Sequence, residues 1–136
     1  MEITMPPKTT ILFVDDDAMN CKVFKRYFSK IQDIEVFTAL SALEATELLA
    51  QENSFINIII SDQRMPHTKG DELLTQVKAS HPHTFRALTS ANSEEIDTLL
   101  SESSKLDIIQ KFIEKPWDFN QIKEVIYSIH NLRYSE

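Results

Sequence analysis

Four short apolar runs of this sequence end in side chains that could do chemistry together. Carboxylates brought into one cleft repel, and a divalent cation with oxygen ligands relieves that repulsion. A lysine and a hydroxyl beside such a cation suit a phosphoryl group, and a central carboxylate can act as the nucleophile. The pattern therefore predicts metal-assisted phosphoryl chemistry. The residues at the four ends are Asp15, Asp16, Asp17, Asp62, Thr89, Ser90, Glu114, Lys115 and Pro116.

The apolar runs alternate with segments of helical periodicity, which indicates five successive βα units. Strands joined by helical crossovers are parallel, and these crossovers are right-handed, so we expect an open sheet with helices on both faces. Ligands of these sheets bind beyond the carboxyl ends of the strands, where the polar residues lie. The order of the strands is not visible from the pattern. The predicted strands are Ile11–Val14, Ile34–Phe37, Ile56–Ile60, Phe85–Leu88 and Ile109–Ile113.

Length and composition limit the class of protein. The 136 residues suffice for one domain, which we place at residues 10–134 after an N-terminal extension at 1–9. The one cysteine excludes an internal disulfide, and we expect a cytoplasmic protein. A net charge of −7 argues against direct binding to nucleic acid, and no apolar run is long enough for a membrane span.

The segment after Asp62 contains two residues that constrain a loop. Pro66 sets φ in the turn, and Gly70 allows either a positive φ or a close approach of another backbone. Other residues here have plain structural interpretations: Asp17 fits a helix N-cap, and Met65 and Trp117 fit packing.

Four motifs in order, "ILFVDDD", "IIISDQRMPHTKG", "ALTSAN" and "FIEKPWD", resemble the receiver domain of two-component response regulators. The resemblance covers nearly the whole chain. It implies a flavodoxin-like (βα)5 fold, doubly wound, with strand order 2-1-3-4-5. It also implies a signalling protein that catalyses its own phosphorylation rather than an enzyme with an external substrate.

The resemblance assigns a role to each motif residue. Asp62 would be the phosphoacceptor, and Mg²⁺, with Mn²⁺ as an alternative, would be held by the set Asp15, Asp16, Asp62 and the backbone carbonyl of Arg64. Ser90 and Lys115 would bind the phosphoryl group. Phe112 would be the switch aromatic, at a position where many relatives have Tyr. Those that shape loops would be Pro66, Gly70 and Pro116, the last after a cis peptide. Arg64 and Asn92 would tune dephosphorylation.

The implied partners are a sensor histidine kinase or a histidine phosphotransfer protein, and a downstream protein or fused output domain. The output surface would be the fourth helix, the fifth strand and the last helix, which could also form a homodimer. The "KPWD" motif resembles a receiver subgroup often fused to phosphodiesterases or transcriptional activators. We expect no output domain within these 136 residues.

Two alternatives remain open at this point. One is a phosphatase similar to the haloacid dehalogenases, with Asp15 as nucleophile and Asp17 as acid/base. The other is a receiver-like binding module that works without phosphorylation, which covalent modification of Asp62 would exclude.

Overall fold

The computed structural model describes residues 8–51 and 55–134. Within them, five parallel strands form one sheet in the order β2-β1-β3-β4-β5, which confirms the predicted α/β fold and the implied strand order. Residues 1–7 of the predicted extension lie outside the described residues. The elements are β1 (Thr9–Val14), α1 (Ala18–Phe28), β2 (Ile34–Ala39), α2 (Ala42–Leu49), β3 (Ile58–Asp62), α3 (Gly70–Ser80), β4 (Phe85–Ser90), α4 (Ser93–Ser101), α5 (Ser103–Ile108), β5 (Lys111–Glu114) and α6 (Phe119–Tyr134).

The sheet separates two hydrophobic cores, and β1 contributes to both. Ile11 and Phe13 pack with residues of α1 and α6, whereas Leu12 and Val14 pack with residues of α2 and α3. A strand covered on both faces needs apolar residues at successive positions, which explains the continuous apolar runs. None of the described helices has the length and apolar character needed to cross a bilayer.

The predicted ends of β3 and β4 were wrong. β3 continues to Asp62 and β4 continues to Ser90, because Asp62 pairs with Thr89 in the parallel ladder. Four buried polar residues therefore complete the two strands: Ser61, Asp62, Thr89 and Ser90. The apolar pattern alone stops short of them. The ladder thus fixes the backbone of Asp62, the residue of greatest chemical interest.

A short helix, α5, was not predicted, and the fifth strand consequently begins at Lys111 rather than Ile109. Contacts with other elements hold this helix. Lys105 Nζ lies 3.0 Å from Asp71 Oδ2 on α3. The buried Arg86 guanidinium of β4 donates to the Ile108 carbonyl at 2.7 Å and to the Asp107 carbonyl at 3.4 Å. These donors satisfy the carbonyls at the helix end, which local sequence does not reveal.

The pair of Asp71 and Lys105 generates a pH-dependent prediction. Burial raises the pKa of Asp71, but hydrogen bonds from Gln63 and Lys105 together lower it by more. The net pKa therefore lies below the ordinary 3.8. This contribution to stability is present above pH 3.8 and disappears as the pH falls through the folded-state pKa. We expect Asp71→Asn to reduce the free energy of unfolding at neutral pH by about 1–2 kcal/mol.

Urea unfolding at about pH 7 and about pH 3 measures this effect, and the gap between wild type and Asp71→Asn should narrow in acid. The control is Asp97→Asn, which changes an exposed carboxylate on α4 and should alter stability by less than about 0.5 kcal/mol. A gap that stays constant with pH would contradict the assigned role of the ion pair.

Candidate functional site

Three carboxylates converge at the carboxyl edge of the sheet. Val14 of β1 pairs with Ser61 of β3, so the next residues, Asp15 and Asp62, lie side by side. Carboxylate oxygens of Asp15, Asp16 and Asp62 lie within 4.8 Å of one another. Asp15 and Asp62 are buried, whereas Asp16 is exposed. Hard oxygen donors at this spacing suit a divalent cation such as Mg²⁺.

Lys115 brings a positive charge into this cluster from the end of β5. Its Nζ lies 3.1 Å from Asp62 Oδ1 and 3.4 Å from Asp15 Oδ2. It also lies 5.2 Å from the centre of the Trp117 ring. The Trp117 ring in turn contacts Phe13 edge-on at 5.1 Å, as the packing interpretation predicted. The lysine head is therefore held between two carboxylates and an aromatic face.

Asp17 does not join the cluster. Its side chain caps α1 by accepting hydrogen bonds from the backbone N–H groups of Met19, at 2.9 Å, and Asn20, at 3.4 Å. The N–H of Asp17 and the side-chain amide of Asn20 both donate to the Asp15 carboxylate, at 2.9 and 3.1 Å. The N-cap prediction is confirmed, and a carboxylate engaged in this way is poorly placed for the acid/base role of the phosphatase alternative.

Ser90 ends β4, the strand that pairs with β3, and Asn92 follows it directly before α4. The Ser90 hydroxyl donates to Glu95 Oε1 at 2.8 Å and accepts from the Asn92 N–H at 3.1 Å. The Asn92 side chain caps α4 through the N–H groups of Glu94 and Glu95. The exposed Arg64 side chain reaches the other oxygen of Glu95, with Nε at 3.4 Å.

These residues surround an open cavity of about 630 Å³, large enough for a phosphoryl group and a hydrated cation. The lining offers the carboxylates of Asp62 and Glu94, the Lys115 ammonium and the Ser90 hydroxyl. The arrangement suits a small, anionic, oxygen-rich group at the Asp62 carboxylate. The lining residues include Asp62, Arg64, Ser90, Asn92 and Lys115.

Comparison with known proteins agrees with this site. The family model described as "Response regulator receiver domain" matches residues 11–127. The chain belongs to the receiver domain family. Proteins of this family act in two-component signalling, where receivers work with histidine kinases and output domains rather than as turnover enzymes.

Three relatives illustrate the range of the family. The hydrogenase transcriptional regulatory protein HoxA of Bradyrhizobium diazoefficiens is 34% identical over 119 residues, which cover 86% of this chain but 23% of HoxA. The two-component response regulator ARR17 of Arabidopsis thaliana is 29% identical over 140 residues, covering 96% of this chain and 90% of ARR17. The crystal structure of the response regulator TrrA from Thermotoga maritima, in complex with Mg(2+)-BeF, superposes with a TM-score of 0.75 at 20% identity. That match covers 89% of this chain and 98% of TrrA and supports the same fold.

The receiver's central carboxylate, Asp62, is electrostatically unfavourable in its charged form. Burial raises the pKa of Asp62, Lys115 lowers it, and the neighbouring Asp15 and Asp16 raise it again, so that the net pKa is above its ordinary value. One ammonium thus leaves the negative charge of three carboxylates only partly compensated. Further positive charge in the cavity would stabilise the ionised form.

The loop after Asp62 resolves the two alternatives for Gly70. Gly70 has no positive φ; instead, a Cβ there would lie 2.3 Å from the carbonyl oxygen of Asp62 and 2.7 Å from Leu88 Cδ1. The positive φ, 70°, belongs to His67. Met65 is buried in the core, as predicted, and Pro66 accepts from the Thr68 N–H at 2.8 Å. Gly70 therefore permits a close approach of α3 to the Asp62 backbone.

Phe112 and Pro116 lie on β5 and just after it. Phe112 is half-buried, packs against the core that contains Leu88, and pairs with Leu88 in the ladder. The peptide bond between Lys115 and Pro116 is cis, as the resemblance implied.

Sequence reasoning missed Glu95, although a signal for it exists. "NSEE", from Asn92 to Glu95, matches the pattern of a capping box, in which the last residue accepts from the N–H of the first. Here Ser90 Oγ accepts the Asn92 N–H, and Glu95 accepts the Ser90 hydroxyl instead. The capping pattern would have placed Glu95 near the site but not against Ser90.

The contact at Gly70 predicts a loss of stability in Gly70→Ala. The added methyl group would meet the Asp62 carbonyl oxygen, a backbone atom that the β-ladder prevents from moving away. We expect the free energy of unfolding, measured in urea, to fall by about 1–3 kcal/mol. The control is Gln76→Ala, at an exposed position of the same helix. Equal stabilities of the two variants would show that α3 shifts freely.

The raised pKa of Asp62 predicts a stabilising substitution. Because the pKa of Asp62 is raised in the folded state, protonation of Asp62 stabilises that state. This contribution is fully present below the unfolded-state pKa and is lost as the pH rises through the folded-state pKa. In neutral buffer with EDTA, Asp62→Asn should therefore melt a few degrees above wild type. The difference should shrink as the pH falls towards 3.8. Asp17→Asn, which keeps a capping side chain, should show no such gain, and a lower melting temperature for Asp62→Asn would contradict the account.

Proposed function

We propose that this receiver accepts a phosphoryl group on Asp62 from a phosphohistidine of a sensor kinase or a histidine phosphotransfer protein. The observation that carries the proposal is the approach of Lys115 Nζ to Asp62 Oδ1, 3.1 Å, beside two further carboxylates whose oxygens lie within 4.8 Å of that of Asp62. A buried carboxylate with a cation at its side and open space before it is suited to nucleophilic attack on phosphorus.

The transfer would exchange one bond for another. An Asp62 carboxylate oxygen forms a bond to phosphorus while the phosphorus–nitrogen bond of the phosphohistidine breaks. The electron pair of that bond stays with the imidazole, and Asp62 becomes an acyl phosphate. Lys115 neutralises charge on a phosphoryl oxygen during and after this step. The backbone of Asp62 lies in the β3–β4 ladder, which keeps the nucleophile in place.

The cation would be Mg²⁺, with Mn²⁺ as an alternative, held by Asp15, Asp16, Asp62 and the backbone carbonyl of Arg64. The fit rests on the oxygen-only donor set and on its spacing within 4.8 Å. When bound, such an ion shields the carboxylates and stabilises charge on the phosphoryl oxygens. The related fold of TrrA was solved in complex with Mg(2+)-BeF, which supports this choice.

Ser90 and Phe112 would then change position in response to the phosphoryl group. Phosphorylation adds roughly −1.5 to −2 charges, to which the Ser90 hydroxyl and Lys115 respond. Phe112, half-buried on β5, would move inward with Ser90 and change the surface formed by α4, β5 and α6. That surface would contact a downstream protein, an output domain or a second copy of the chain.

The remaining assignments belong to the same proposal. Arg64 and Asn92 line the cavity next to Asp62, where they would flank the water that hydrolyses the acyl phosphate. We assign the receiver unit to residues 10–134 and its work to the cytoplasm, without direct contact with nucleic acid or a membrane. The one cysteine supports the cytoplasmic assignment, and the net charge of −7 supports the absence of direct contact with nucleic acid.

Intact-mass analysis after incubation with acetyl phosphate and Mg²⁺ tests the proposal. Wild type and the control Asp17→Asn should each gain the mass of one labile phosphoryl group, because Asp17 caps α1 outside the cluster. Asp62→Asn, and wild type in EDTA, should gain none.

An equal adduct on Asp62→Asn would show that another residue is the acceptor. No adduct on wild type, together with failure to bind beryllofluoride, would instead favour the binding module that works without phosphorylation.

A further inference from the structure

The Ser90 hydroxyl is hydrogen-bonded to the carboxylate of Glu95, which the proposed chemistry does not use. Ser90 Oγ donates to Glu95 Oε1 at 2.8 Å, and Arg64 Nε contacts Glu95 Oε2 at 3.4 Å. The Ser90 side chain is buried, and the Glu95 side chain is 20% exposed. One carboxylate in the first turn of α4 therefore holds two of the groups that line the cavity beside Asp62.

A serine hydroxyl has one proton, so Ser90 cannot donate to Glu95 and to a phosphoryl oxygen at the same time. The alternative acceptor in the structure, the carbonyl of Asn92, lies at 3.4 Å and is the weaker partner. A hydrogen bond to a charged acceptor is about twice as strong as a neutral one. The bond to Glu95 therefore has to be broken before Ser90 can answer phosphorylation.

The geometry points to Glu95 as an intramolecular competitor of the phosphoryl group, and we propose that it stabilises the unphosphorylated state. This inference rests on the proposed phosphorylation of Asp62. Glu95 is a positioning residue: it occupies the Ser90 hydroxyl and the Arg64 Nε, two cavity-lining groups that would otherwise be available to a phosphoryl group on Asp62. Phosphorylation displaces it, which releases the first turn of α4 and frees Arg64 at the same time.

The competition has a physical direction. A phosphoryl group brings roughly −1.5 to −2 charges into the cavity, and both Ser90 and Arg64 are better partners for it than for a single carboxylate. Glu95 is then left without its two partners beside a new negative charge. Its displacement is favourable, and because it belongs to α4, the local exchange of hydrogen bonds reaches the helix itself.

Glu94, which also lines the cavity, provides a matched control for the loss of one negative charge. It neighbours Glu95 in the first turn of α4, carries the same charge, and donates its N–H to the same cap on Asn92. Among the described contacts, its side chain makes none with Ser90 or Arg64. Replacing Glu94 therefore removes a similar charge from the same helix end and leaves the Ser90–Glu95–Arg64 contacts intact.

Beryllofluoride with Mg²⁺, a stable mimic of the phosphoryl group, measures the competition directly. Trp117 is the one tryptophan of the chain, and the centre of its ring lies 5.2 Å from Lys115 Nζ. Its fluorescence can therefore report binding. We expect Glu95→Ala to bind the mimic roughly three- to tenfold more tightly than wild type. Glu94→Ala should stay within about twofold, since an exposed charge is screened. Glu95→Gln, which keeps the length of the side chain, should change affinity in the same direction by less.

A double-mutant cycle with Ser90→Ala separates the hydrogen bond from general charge effects. In the Ser90→Ala background, replacing Glu95 should no longer tighten binding to the same extent, because the bond it competed for is gone. Circular dichroism confirms that each variant is folded.

The outcomes separate the two proposals. Wild type that fails to bind beryllofluoride overturns the proposed function and the competition with it. Wild type that binds, with Glu95→Ala and Glu94→Ala indistinguishable, overturns the competition alone. The same tightening in the presence and absence of the Ser90 hydroxyl would also overturn it.

Discussion

The site of this receiver depends on a backbone that holds three mutually repelling carboxylates together at one edge of a parallel sheet. Oxygens of Asp15, Asp16 and Asp62 lie within 4.8 Å of one another, and the Lys115 ammonium contacts two of these carboxylates, Asp15 and Asp62. Such a cluster persists only where its backbones cannot separate, and the β1–β3 pairing supplies that restraint. The uncompensated charge favours binding of a cation and, under the proposed function, of a phosphoryl group with it.

The restraint extends from the hydrophobic core to the Lys115 ammonium. Phe13 lies in the core under the sheet, its ring contacts Trp117, and Trp117 presents its face to the Lys115 ammonium. Aromatic packing on one face of β1 thus determines where the positive charge lies relative to Asp15, two residues beyond Phe13 on the same chain. Packing and electrostatics at this site are therefore not separable contributions.

The two sides of the cavity differ in how firmly they are held. Asp62 lies in the β3–β4 ladder and Asp15 directly follows β1, and these strands are covered by helices on both faces. The backbone of Ser90 is held in the β4–β5 ladder as well. On the other side, the Ser90 side chain depends on hydrogen bonds to Asn92 and Glu95, at the beginning of α4. If Asp62 accepts the phosphoryl group as proposed, this arrangement keeps the nucleophile still while the Ser90 hydroxyl can change its hydrogen-bond partner, which a switch requires.

The sequence alone determined the parallel α/β architecture and the residues at the strand ends, because buried strands need continuous apolar runs and crossovers are right-handed. Only the tertiary structure decided three further features. α5 exists through Lys105 and Arg86, whose partners lie elsewhere in the chain. Gly70 is required by the closeness of the Asp62 carbonyl oxygen rather than by its own φ. Glu95 turned to Ser90 although its sequence pattern indicated a cap, since hydrogen bonds between side chains depend on which elements meet in space, and periodicity does not record that.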